Sequence, residues 1–141
     1  MTRPILTKHH PFYALILLVL AGCLKAPEPV PELSRPAAEA FLGALLTADQ
    51  KGILQSLDSQ ARAYLLEQGD FPGRLAQRKR LMGGNPERYK ISSLSETKGE
   101  ARLHVVWLGG NLKNSFKEAF VLKEHKGSWG VVLGERWYAV E

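Results

Sequence analysis

His104 is the side chain best placed in this sequence to move a proton. It sits in the middle of Ala101 to Leu108, a run that alternates as a strand does, and it shares a face with Val106 and Leu108. An imidazole held in a dry cavity serves as a general acid or base. Tyr64, Tyr89 and Tyr138 are candidates to line the same space. Trp107 and Trp129, together with Trp137, are candidates for an apolar ligand wall, with core packing as the competing reading. A second chemistry is electrostatic. Arg74, Arg78, Lys79, Arg80, Arg88 and Lys90 fall in one stretch opposed only by Glu87. Such a patch suits anionic headgroups, lipopolysaccharide or an acidic partner, while a solvated helix face and its following turn is the simpler account.

Other chemistries lack their residues. Asp49, Asp58 and Asp70 stand at expected helix starts, where capping accounts for them. His104 and His125 are too isolated to form a ligand set, so no metal is expected. Gly83-Gly84 is followed by Asn85-Pro86 and not by the Lys-Ser/Thr of a phosphate loop. No Gly-x-Ser-x-Gly elbow occurs, and no cofactor is expected.

The one cysteine, Cys23, stands directly behind Leu20, Ala21 and Gly22. Arg3 and Lys8 give the segment before it a positive start, and Phe12 to Leu20 are an uninterrupted apolar run. A bilayer span needs roughly 20 residues. The run is shorter, so residues 1–22 read as an export signal. The order Leu20-Ala21-Gly22-Cys23 resembles the lipobox of bacterial lipoproteins. The competing reading is an ordinary secretory signal with a chance cysteine at its end. The resemblance implies a thioether-linked diacylglycerol on the Cys23 sulfur and cleavage after Gly22. It also implies, in many Gram-negative bacteria, a further acyl chain on the new amine. Two or more chains anchor stably. Leu24, in the place where aspartate retains such proteins at the inner membrane of enteric bacteria, implies the outer membrane and a domain facing the periplasm. With Cys23 lipidated, no internal disulfide is available, and stability must come from packing.

Residues 1–22 carry Arg3 and Lys8 and no acids. Removing them from 19 basic and 14 acidic residues leaves 17 against 14, a net charge of +3. That is too mild to suggest nucleic acid as a partner. Residues 23–35 form a tether rich in proline, with Pro27, Pro29 and Pro31 before Pro36. At ~3.1 Å per residue, the stretch from Cys23 to Ser34 reaches roughly 35 Å. Residues 36–141 are the right length for one domain and too short for two.

Along that domain the period changes once. Ala38, Phe41, Leu42, Leu45 and Leu46 recur as on one face of a helix, with Ser34 as its expected cap. Shorter helices follow, carrying Ile53, Leu54 and Leu57, then Ala61, Tyr64 and Leu65, then Leu75 and Met82 inward with the basic residues outward. Gly83-Gly84-Asn85-Pro86 breaks the pattern. Strands are then expected around Tyr89 to Leu94, over Ala101 to Leu108, over Ser115 to Lys123 and from Trp129 to Val140, the last bent near Gly134. Helices before strands joined by short turns give an α+β fold, with N-terminal helices packed on a curved antiparallel sheet of about four strands.

This ordering is similar to the cystatin-like, nuclear transport factor 2-like superfamily, from about Pro36 to the C-terminus. The opening AAEAFLGALLTAD, the short helices after it and the closing strands with GSWGVV carry the likeness. The resemblance implies a cone between sheet and helices, which in some members is a ligand cavity or an active site. It fixes little about function, because the fold hosts isomerases, dehydratases, carriers and inert scaffolds. The first expectation is a membrane-anchored envelope lipoprotein acting as a non-catalytic module that binds a protein, lipid or glycan. The alternative is a small-ligand carrier or acid–base enzyme using the conical cavity. A third is a subunit of an envelope machine, docked through the Arg74–Lys90 patch.

Overall fold

The computed structural model describes residues 32–134, 137 and 138. The expected export signal, Leu20 to Cys23 and the tether as far as residue 31 lie outside the described residues, as does the end of the chain after Tyr138. Four helices come first: α1 (Arg35–Leu46), α2 (Gln50–Ser56), α3 (Ser59–Gln68) and α4 (Phe71–Met82). Four strands follow: β1 (Arg88–Thr97), β2 (Glu100–Leu108), β3 (Phe116–His125) and β4 (Ser128–Val132). The expected α+β class holds. Among the described residues, no helix is long and apolar enough to cross a membrane.

Local chemistry sets the helix ends. Asp49, Asp58 and Asp70 each accept a backbone N–H three residues on, from Gly52, Ala61 and Gly73. Each such cap stabilises by about 1 kcal/mol. Gly69 and Gly83 end α3 and α4 at φ 65° and 79°, a region that costs glycine nothing. Ser34 precedes α1 without a capping bond from its side chain. Its backbone N–H and its hydroxyl instead donate to Glu96 Oε2 on β1, at 3.0 and 2.7 Å. Ser34 is fully buried, so the packed body begins ahead of Pro36.

The strands form an antiparallel meander in the order β1-β2-β3-β4. Register puts Leu94, Leu103 and Phe120 side by side. A bulge at Ser92, between Ile91 and Ser93, bends β1. Alternation sends Ala101, Leu103, Val105, Trp107, Phe120, Leu122 and Val131 to one face, where all are buried. Helix α1 packs on that face against β1 and β4, and α3 packs against β4. Phe41 meets Phe120 edge-on with ring centroids 5.0 Å apart. The linker between α2 and α3 lies along the sheet edge. Leu57 makes a parallel bridge to Val131, and the Asp58 N–H donates to the Val131 carbonyl at 2.9 Å.

The last strand departs from expectation. It ends at Val132 instead of running on past Gly134. A turn follows, in which the Trp137 N–H donates to the Gly134 carbonyl at 2.9 Å. Trp137 and Tyr138 then fold back onto the core, edge-on to each other with ring centroids 4.5 Å apart. Burying two aromatic rings outweighs adding residues to a strand whose free edge Leu57 already covers.

Candidate functional site

The space between helices and sheet is the first place to look for a site, and side chains fill it. Phe41, Leu42, Ile53, Leu103, Trp107, Leu122 and Val131 are all fully buried there. Close packing of this kind leaves no room for a ligand beside Trp107.

One polar group interrupts this interior. Helix α4 buries Phe71, Arg74, Arg78 and Met82, which recur at helical spacing. Arg74 and Arg78 therefore point inward, contrary to the expectation that the basic residues of this helix face solvent. The reason is Glu118, which the alternation of β3 turns inward between Phe116 and Phe120. Arg78 Nη2 donates to Glu118 Oε2 at 2.7 Å and Nε to Oε1 at 3.4 Å. The Trp107 indole N–H donates to the same Oε2 at 2.7 Å. The Arg78 guanidinium also lies over the Trp107 ring at 4.7 Å and the Tyr138 ring at 5.9 Å. Arg74 donates from Nη1 to the Trp137 carbonyl at 3.3 Å and lies over the Tyr64 ring at 5.9 Å. A carboxylate so occupied fixes α4 against the sheet and has little freedom to take a proton from a substrate.

The remaining expected residues are dispersed. His104 is exposed on the opposite face of the sheet, between Ser93 and Ala119 in register. It cannot share a cavity with Trp107, because the β2 backbone lies between their side chains. Tyr89 is on the inner face, edge-on to Trp107 at 5.7 Å, and burial, then the charge of Glu39, raises the pKa of its hydroxyl. Trp129 is half-buried at the start of β4. It borders a shallow groove of about 540 Å³ with Gln55, Asp58, Gln60, Arg62, Glu124 and His125. Glu96 is held below the usual carboxylate range by the Ser34 backbone N–H and then by the Ser34 hydroxyl. Among the described residues, no cluster of three His, Cys, Asp or Glu stands ready to hold a metal.

The basic stretch thus divides three ways. Arg74 and Arg78 are interior. Lys79 and Arg80 are exposed in the last turn of α4, where the helix dipole favours cations. Arg88 and Lys90 are exposed on the outer face of the sheet. There they join Arg102, Lys117 and Lys123, which the sequence reading did not connect with them. Alternation tells which residues share a face within one strand, but only the register of β1 and β3 on β2 brings these residues to the face of His104.

No family model matches the chain, and no curated protein matches it. Among solved structures, it is similar to a Campylobacter jejuni protein provisionally named a nuclear transport factor 2-like transpeptidase. The TM-score is 0.51 at 18% identity, over 71% of this chain and 97% of the other. A likeness at that identity is one of fold, and the domain has the nuclear transport factor 2-like fold.

Proposed function

We propose that this protein is a lipid-anchored envelope module whose domain binds a partner and does not catalyse a reaction. The filled interior carries the reading. Trp107 is wholly buried where the superfamily resemblance implied a cavity, and Glu118, the carboxylate beside it, is taken up by Arg78 and Trp107. Acid–base catalysis needs a group within reach of a bound substrate. His104 is accessible but lies on an open face, outside any enclosed space. The anchor is supported by the Leu20-Ala21-Gly22-Cys23 order and the short apolar run before it. Leu24 supports an outer-membrane address facing the periplasm.

The Campylobacter jejuni protein's name suggests transpeptidation, which requires an activated nucleophile. Among the described residues, Ser34 donates its hydroxyl to a carboxylate, that of Glu96, but Ser34 is fully buried and out of a substrate's reach. That activity is therefore not carried over. One observation favours a small-ligand carrier as the second reading: the groove beside Trp129 pairs an aromatic face with amide and charged side chains.

Native mass spectrometry of the full-length protein, extracted from its own membranes in mild detergent, tests these readings. An acylated mass starting at Cys23, with the domain empty or held to another protein, is the expected result. A retained small molecule transfers the weight to the carrier reading. A chain that is neither cleaved nor acylated overturns the anchor.

A further inference from the structure

The charge of the domain is segregated by the sheet. The described residues include 15 Lys and Arg and 11 Asp and Glu. Register places Arg88, Lys90, Arg102, Lys117 and Lys123 on the outer face, with Glu100 as that face's one acid. The rest of the described domain therefore balances at ten and ten, and the whole excess of four positive charges stands on one face. His104 lies at its centre. Glu100 meets Arg102 at 3.6 Å, and Glu87, just outside β1, meets Arg88 at 3.7 Å. Lys90, Lys117 and Lys123 form no ion pair among the described residues.

The shape of the face matches its charge. Val121 and Val132 pair as half-exposed apolar neighbours, and half-exposed Val106 stands beyond the His104–Ala119 pair. Two shallow depressions indent it, of about 370 and 210 Å³, and both are lined by His104 and Ala119. Lys117 borders the first and Arg102 the second. Each hollow thus has one cation at its border and an imidazole beside it. The helices pack on the inner side, and only at the β4 end does the start of α3 reach this face, where Asp58 meets Gly130 and Lys123 borders the groove beside α3.

We propose that the outer sheet face lies against the anionic lipid headgroups of the membrane that holds the chain. This rests on the anchored reading, which keeps the domain within the tether's reach of one bilayer. Cations near an anionic surface are attracted to it, and the attraction fades within a Debye length. A tether raises the effective concentration of a face too weak to bind alone. Charge balance over the rest of the domain makes the attraction directional, so this face turns to the bilayer and the helices turn away.

The test uses the full-length, membrane-extracted protein, mixed with vesicles of phosphatidylcholine alone or with about one-third phosphatidylglycerol. Flotation is read first. Flotation with both vesicle types supports the anchor. Flotation with the anionic vesicles alone supports the face and overturns the anchor, and flotation with neither overturns both. For the anchored protein, amine acetylation is then read by mass spectrometry. Lys90, Lys117 and Lys123 should react about fivefold more slowly on anionic than on neutral vesicles, and ~0.5 M salt should restore their rates. Lys51 and Lys79, on the helices, should react equally on both. Equal rates for the face lysines on the two vesicle types overturn the proposal. Protection on phosphatidylcholine that salt does not relieve also overturns it, in favour of a second copy of the chain.

Discussion

The Trp107 indole N–H donates to Glu118 Oε2 at 2.7 Å, across neighbouring strands and deep in the domain. That oxygen also accepts from Arg78 Nη2, so one carboxylate joins β2, β3 and α4. Arg78 and Glu118 side chains are only 6% and 10% exposed. Removing one partner leaves the other as an uncompensated buried charge. Glu118→Ala should cost about 3–5 kcal/mol, and an apolar replacement of both residues, Arg78→Met with Glu118→Leu, should cost less, about 1–3 kcal/mol for the Trp107 N–H left without its acceptor. Urea denaturation of the two variants measures the difference. Equal losses would mean that the pair acts through packing alone.

The contact between Ser34 and Glu96 makes stability depend on pH. Hydrogen bonds from Ser34 hold the Glu96 carboxyl below its usual range in the folded state. A depressed folded pKa gives stabilisation that is present above the unfolded value, about 4.3, and is lost as pH falls through the folded one. Glu96→Gln should therefore lower the urea midpoint at pH 7, and the gap from the parent should narrow as the pH falls below the usual carboxylate range. A gap as wide at the lower pH contradicts the assignment.

Two glycines should respond in opposite directions to alanine. A Cβ on Gly130 would stand 2.7 Å from Asp58 Cα and 2.8 Å from Asp58 N, where α3 begins against β4. Gly130→Ala should destabilise by about 1–3 kcal/mol, because backbone must move. Gly43 lies inside α1 with nothing within 4 Å of its would-be Cβ. Gly43→Ala should stabilise by about 0.5–1 kcal/mol through helix propensity. Thermal melts of the pair decide it.

Asp58 caps α3 by accepting the Ala61 N–H at 2.7 Å, while its own N–H holds the Val131 carbonyl. Asp58→Ala should cost about 1 kcal/mol for the cap and keep the backbone bridge. Hydrogen exchange should then quicken at Ala61 before it does at Asp58.

His104→Ala should change stability by less than about 0.5 kcal/mol, since the side chain is exposed and buries nothing. An activity abolished by this substitution in a folded protein would overturn the non-catalytic reading.

Local order was legible in the sequence because it depends on near neighbours. The spacing of Ala38, Phe41, Leu42 and Leu45 specifies α1, and the three aspartates announce the starts of α2, α3 and α4. Alternation through Ala101–Leu108 tells which residues turn inward. What the tertiary structure decided is which partner meets each face. Arg74 and Arg78 read as solvated cations, because their positions gain nothing from burial until Glu118, Trp107 and the Trp137 carbonyl arrive from far along the chain. Trp137 and Tyr138 read as strand, because the turn that returns them to the core competes with pairing only once Leu57 occupies the β4 edge. The cationic face likewise needed the register of three strands to gather residues from 88 to 123 onto one side. Periodicity is a property of a segment, whereas burial of charge is a property of two segments in contact.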